Sequence, residues 1–289
     1  MSFQGVGRWV GCAEVYNGEG RFLGNAMDTR NVQDLGSGKL RIDLAFIGPL
    51  KAAGHYFIED HGVHRLYQGP INVGYADTLH PTLIDANAYW ASVGLSQRFF
   101  LMTIGDTQLS LSLMSRGEHL LYAIVGENER TTDGNAVPRL QNAVSYDLSN
   151  DPSGGRGTIY LHKAGTWRGK VTALDSSRNA LSESDYSHTL DEKLTLRTEG
   201  SHFAPHNCYT VITNGWQAWT PEGDVVGSYS LSGGRALAGN FYHTDSHLRV
   251  WKREVTCMDG LQKALLHLWY RGQTLIGYEF GLLHFEATS

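Results

Sequence analysis

Cysteine is scarce in this chain. The three residues Cys12, Cys208 and Cys257 are odd in number and far apart. Their spacing suits neither a disulfide framework nor a zinc site, so they read as free thiols that pack as small hydrophobes. No apolar stretch approaches the ~20 residues of a membrane-spanning helix. Dense basic runs are missing too: the net charge is −5 with Lys and Arg scattered, which argues against a nucleic-acid partner. The opening Met1-Ser2-Phe3-Gln4-Gly5 has no charged region followed by an apolar run, against a secretory signal. There is no Asn-x-Ser/Thr sequon, and the expected location is cytoplasmic. Also absent are a Gly-x-Ser-x-Gly elbow, a phosphate loop and a dinucleotide fingerprint. Gly18 to Gly24 has the wrong glycine spacing for the last and reads as a hairpin.

What is present points to strands. Proline is low at 7 residues and glycine high at 34, the composition of tight turns between aromatic and β-branched runs. Leu40, Ile42, Leu44 and Phe46 alternate with Arg41, Asp43 and Ala45. Leu109, Leu111 and Leu113 alternate with Ser110 and Ser112, and Leu194 with Leu196 repeats the pattern. Period two with one dry face is strand periodicity. Asn17-Gly18, Arg116-Gly117, Asp259-Gly260 and Arg271-Gly272 supply hairpin turns. Short helices are expected at most over Pro138 to Ser145 or near Thr78 to Asp85.

Three segments recur in the same order. Gly7-Arg8-Trp9-Val10-Gly11 returns as Gly165-Thr166-Trp167-Arg168-Gly169. Ile84 to Tyr89 lines up with Leu237 to Tyr242, and Ser115 to Leu121 with Tyr270 to Ile276. Between the halves, Ser149-Asn150-Asp151-Pro152-Ser153-Gly154-Gly155 has linker composition. The expectation is an all-β chain with two domains, 1–150 and 155–289, related by internal duplication. Each half of ~140 residues holds about eight to ten strands at the usual spacing. Closing such a sheet into an antiparallel barrel hides its edges, and about eight strands leave room for one small ligand.

A Gly-x-Trp on the first strand of an up-and-down barrel resembles the lipocalin and wider calycin superfamily. The tandem arrangement resembles the carotenoid-hydratase and lipocalin-like cyclase group. The resemblance rests on Gly7/Trp9 and Gly165/Trp167. It implies two lipocalin-like barrels, each Trp closing a barrel base against an Arg from a late strand, with Arg116 and Arg271 as candidates. It also implies a pocket for a hydrophobic small molecule, in a carrier or in a cofactor-free lyase, isomerase or cyclase.

Four residue sets suggest chemistry. Along His55 to Tyr67, His55 and Glu59 share one strand face as an acid–base pair for a barrel mouth, with Tyr56 on the other face; a solvated hairpin tip is the alternative. Asp85, Asn87 and Tyr89 share a face of the next candidate strand, followed by Trp90. An acid, an amide and a phenol suit proton removal beside a stabilised oxyanion; structural hydrogen bonding is the alternative. The copy in the second half keeps Asn240 and Tyr242 but has Ala238 for Asp85. His243, Asp245 and His247 alternate as facial metal ligands would, but Arg249 continues that face and opposes a cation; a solvated strand end is the alternative. Trp216 and other aromatics could line a pocket or simply fill a core.

The expected function is a cofactor-independent lyase or isomerase acting by general acid–base catalysis on a hydrophobic aromatic or terpenoid-like molecule. Asp85, Tyr89, His55 and Glu59 would be catalytic, and Asn87, Trp90, Tyr56, Asn240, Tyr242 and Trp216 would bind substrate. No cofactor and no metal are expected. A non-catalytic carrier of a similar ligand is the alternative, and homodimerisation stays open.

Overall fold

The computed structural model describes residues 4–62, 64–136, 164–213, 217–221, 223–232 and 235–287. The linker segment 149–155, the candidate helix 138–145 and Trp216 lie outside the described residues. The chain divides into two compact units, Met1–Tyr146 and Asp147–Ser289. Both are antiparallel β-barrels, and the described residues contain no helix. The span Thr78 to Asp85 is therefore no helix. It belongs to strands β6 (Asn72–His80) and β7 (Leu83–Trp90) and the turn between them.

The first unit is a closed barrel of ten strands, each paired with its neighbours in sequence and the last with the first. Its other strands are β1 (Gly7–Asn17), β2 (Phe22–Asp34), β3 (Lys39–Ile47), β4 (Lys51–Asp60), β5 (His64–Gln68), β8 (Leu95–Ile104), β9 (Thr107–Arg116) and β10 (His119–Thr131). Closure leaves no edge with unpaired backbone groups. The turns do what their residues dictate. Asn17 Oδ1 accepts the N–H of Glu19 and of Arg21 at the β1–β2 turn. Gly117 takes φ +60°, a left-handed conformation that glycine adopts without strain, at the β9–β10 turn.

The second unit is an eleven-stranded sheet in the order β14-β13-β12-β11-β21-β20-β19-β18-β17-β16-β15. The strands are β11 (Gly165–Asp175), β12 (Ala180–Leu190), β13 (Thr195–Glu199), β14 (His206–Thr210), β15 (Ile212–Thr213), β16 (Gln217–Thr220), β17 (Val225–Ser232), β18 (Ala236–His243), β19 (Leu248–Thr256), β20 (Gln262–Arg271) and β21 (Thr274–Ala287). Side chains rather than a ladder tie β14 to the β17–β18 region. The Cys208 N–H donates to Asp224 Oδ2 at 3.2 Å, and His243 Nδ1 meets Asn207 Oδ1 at 2.7 Å.

The three sequence matches fall on equivalent places. Trp9 and Trp167 sit on the first strands, which pair with the last strand of each unit. Asp85 and Ala238 lie on β7 and β18, each the fourth strand from its unit's end. Gly117 and Gly272 occupy the last hairpin turns, with φ +60° and +59°. A fourth equivalence follows: Asp175 Oδ1 accepts the Asn179 N–H at 2.8 Å, as Asn17 Oδ1 does that of Arg21.

Two dry faces differ from expectation. On β3 the apolar set Leu40, Ile42, Leu44 and Phe46 does point inward. On β9 the inward residues are Gln108, Ser110 and Ser112, while Leu109 and Leu111 are buried on the opposite face. Leu194 stands in a turn at φ +59°, so only Leu196 of that pair is on a strand.

Candidate functional site

The first barrel encloses a cavity of about 120 Å³. Trp9 packs in one buried cluster with the lining residues Val32, Ile42 and Ile58. It is fully buried, and its Nε1 donates to the Gly5 carbonyl at 2.8 Å. The Arg130 guanidinium lies 4.6 Å from the Trp9 ring centroid. It also donates to the Val6 carbonyl at 2.8 Å and the Gln4 carbonyl at 2.7 Å, tying the N-terminal segment across the barrel end. The arginine partner of this tryptophan is thus Arg130 on β10, directly opposite it in the ladder. Arg116 is at the far end of β9, beside the last hairpin turn, and cannot serve. In the second unit Phe285 stands opposite Trp167, 5.1 Å between ring centroids, and Lys263 Nζ lies 4.9 Å from the Trp167 ring. Arg271, at the last hairpin, is likewise not the partner.

At the other end, Leu50 and Val93 line the mouth from the β3–β4 and β7–β8 turns, both partly exposed. Between the two ends the wall is mostly apolar, with Ile42, Leu44, Phe46, Ile84, Phe99 and Leu101 prominent. Asp28 and Arg30, both from β2, are the charged residues on this lining. They face the same way because they are two apart on a strand. Arg30 Nε donates to Asp28 Oδ1 at 3.1 Å, and its Nη2 donates to Asp28 Oδ2. Asp28 is only 2% exposed.

Neutral polar groups complete the lining. Tyr56 and Tyr67 pack with ring centroids 5.8 Å apart. Burial pushes the Tyr56 phenol up to about 12, and the Tyr67 phenol further still, so both keep their protons. Trp90 Nε1 donates to Gln97 Oε1 at 2.6 Å, and Gln97 Nε2 donates to Ser112 Oγ at 2.6 Å. Asn72, paired with Trp90 in the β6–β7 ladder, is 1% exposed, and its Oδ1 has no hydrogen-bond partner.

Of the expected site residues, Tyr56 and Trp90 line this cavity. The others expected inside the first barrel do not. On β7 the inward face is Ile84, Ala86 and Ala88, which turns Asp85, Asn87 and Tyr89 outward. Asp85 is buried there, Asn87 accepts from Arg98 Nη1, and Tyr89 is 45% exposed. On β4 the inward residues are Tyr56 and Ile58, so His55 and Glu59 are outside. Glu59 bonds Lys39 at 2.8 Å, and His55 packs edge-on to Phe57. In each case the period of two holds and the opposite parity faces the interior. Asn240 and Tyr242 also face outward, both exposed, with the Tyr242 hydroxyl against His247 Nδ1 at 3.1 Å. His243, Asp245 and His247 do not share a strand face, because β18 ends at His243, which points inward, and the other two lie in a turn.

Sequence reasoning missed Asp28, Arg30, Tyr67, Asn72, Gln97 and the serines of β9. A usable signal was present on β2: opposite charges two residues apart can neutralise each other on one face.

The comparisons with known proteins add the fold. No protein-family model matches the chain, and no curated protein does. Solved structures are similar. A protein of unknown function from the DUF3598 family of Nostoc punctiforme PCC 73102 aligns over 98% of this chain and 97% of its own, with a TM-score of 0.59 and 12% identity. At that identity the likeness is one of fold. The S-type phycobiliprotein lyase CPES from Guillardia theta aligns over 45% of this chain and 89% of its own, with a TM-score of 0.34 and 10% identity. A transferrin binding protein B from Haemophilus parasuis Hp5 aligns over 98% and 76%, with a TM-score of 0.26 and 7% identity. Neither of these two bears on function.

The second barrel is filled differently. Lys252, His267 and Glu279 stand side by side across β19, β20 and β21. Glu254 takes Lys263 at 3.1 Å and His267 at 2.8 Å. Glu279 accepts from Ser201 Oγ, the His202 N–H and Trp269 Nε1. All five charged or titratable side chains of these two groups are at most 6% exposed. The duplicated fold thus carries an apolar cavity with one ion pair in one copy and a buried polar network in the other.

Proposed function

We propose that the first barrel binds a hydrophobic small molecule inside its cavity. The observation that carries this is the cavity itself: it lies inside a closed barrel and is walled by apolar side chains with a few polar groups. A concave, mostly apolar lining with a few placed polar groups is the usual character of small-molecule sites. Tyr56 and Trp90, in edge-on contact with centroids 6.1 Å apart, give a planar ligand rings to stack against.

The test is saturable binding of the apolar fluorophore Nile red. Ala52 lines the cavity, and Ala52→Trp fills it from the wall. The expected result is at least tenfold weaker binding by a variant whose far-ultraviolet circular dichroism is unchanged; Leu44→Trp provides a second obstruction. Undiminished binding by both folded variants would remove the cavity as the site.

A second reading, a cofactor-independent lyase or isomerase, is favoured by one observation. Asp28 and the two protonated phenols of Tyr56 and Tyr67 share this cavity. In that reading Asp28 takes and returns a proton, and a phenol donates to the substrate oxygen as charge develops. Asp28→Asn then lowers turnover by ~10²-fold or more, whereas a carrier has no turnover to lose.

A further inference from the structure

The polar groups of the first cavity carry information about its ligand that goes beyond hydrophobicity. The two charged residues on the lining, Asp28 and Arg30, are spent on each other: both Asp28 oxygens accept from the Arg30 guanidinium. The wall therefore contributes no net charge. The remaining polar groups are neutral. The Tyr56 and Tyr67 phenols retain their protons and can donate, and the Ser110 hydroxyl lies on the lining. Asn72, 1% exposed, presents an amide oxygen with no partner. A buried acceptor left unmatched is costly, so a bound molecule that donates to it gains more than the average hydrogen bond.

We infer that the cavity selects neutral, oxygen-bearing apolar molecules, alcohols above all, and rejects carboxylates of the same chain length. This rests on the cavity reading above and specifies its ligand class. A hydroxyl can donate to Asn72 Oδ1 while accepting from a phenol or serine, and it loses little hydration energy on entry. A carboxylate loses its full ionic hydration and meets acceptors it cannot satisfy. Arg30, the one cation on the lining among the described residues, is already neutralised by Asp28, so a second carboxylate would compete with the first rather than complete a pair.

The experiment is competition of 1-decanol and decanoate against Nile red at pH 7.5, on the full chain. Decanol is expected to displace the probe at a concentration at least tenfold lower than decanoate. Asp28→Asn removes the internal counter-ion and leaves Arg30 uncompensated. That variant is expected to gain at least tenfold in decanoate affinity, with decanol changed less than threefold. Asn72→Leu, which removes the orphan acceptor, should cost decanol several-fold and leave decanoate unchanged.

Failure of the cavity reading looks different from failure of this inference. If Nile red does not bind saturably, or binds undiminished to folded Ala52→Trp and Leu44→Trp, the cavity is not the site and the ligand class falls with it. If Nile red binds in the cavity but decanoate competes as well as decanol on the wild type, the cavity stands and the neutral-ligand inference is overturned. The wild-type comparison needs no variant to fold.

Discussion

The Arg130 guanidinium rests 4.6 Å from the centre of the Trp9 ring while bonding the carbonyls of Val6 and Gln4. One side chain thus holds Trp9 and the N-terminal segment together. Arg130→Ala removes a partly desolvated cation–π contact, at about 0.5–2 kcal/mol, and leaves those carbonyls short of donors. A loss of roughly 1–3 kcal/mol in denaturant unfolding is expected. Arg130→Lys should recover less than half, because a point ammonium cannot stack and fork at once. Full recovery by lysine would show that only charge matters.

Outward and inward residues should separate cleanly in binding. Tyr89 is 45% exposed on the outer face of β7, and Tyr56 lines the cavity. Tyr89→Ala is expected to leave Nile red affinity within twofold and stability within about 0.5 kcal/mol. Tyr56→Ala should weaken the probe about tenfold. Equal effects from the two would contradict the parity described for these strands.

In the second barrel, two buried lysines should respond in opposite ways. Lys263 is fully buried against Glu254 at 3.1 Å. Lys263→Met leaves that buried carboxylate with the His267 imidazole alone, with an expected cost of about 3–5 kcal/mol. Lys252 is 6% exposed and forms no ion pair among the described residues; its Nζ lies 5.1 Å from the centre of the Phe241 ring. Burial lowers its ammonium to about 8. Lys252→Met keeps the stem and removes a charge that folding must desolvate, so stability is expected to be unchanged or raised. Thermal unfolding at pH 7 reads both.

Acid should destabilise the second barrel early. Burial lowers His188 well below the ordinary imidazole range and His243 to about 3; burial also lowers His267, though Glu254 opposes that shift. Below about pH 6.5 the unfolded chain takes up protons that these folded imidazoles refuse, so stability falls as pH drops toward the folded values. Each such group contributes about 1.4 kcal/mol per pH unit over that window. Glu254 acts in the same direction at lower pH. Burial alone would raise it, but Lys263 and His267 hold it at about 2. Its stabilisation is complete above the unfolded value near 4.5 and is lost as pH falls through about 2. A melting temperature flat from pH 7.5 to 5 would rule this out.

The repeat, the period of the strands and the turns were all legible in the residues. Gly7/Trp9 against Gly165/Trp167, the alternation on β3 and the glycine of each last hairpin depend on local chemistry. Side chains alternate at every second residue whatever the strand packs on, and a left-handed turn position calls for glycine wherever it occurs. The site was less accessible. Alternation says which residues share a face but not which face is inside, and the two parities are equivalent until a strand is registered against its neighbours. On β7 the apolar set Ile84, Ala86 and Ala88 turned inward and took Asp85 out of contention. On β9 the opposite held: the serines face the cavity and the leucines are buried behind them. Arg130 meets Trp9 across a separation of more than a hundred residues because the last strand closes on the first. Asp28 with Arg30 is an unremarkable pair of charges until closure places it in a dry interior. Tertiary structure decided those points, because a barrel's inside exists only once its edges meet.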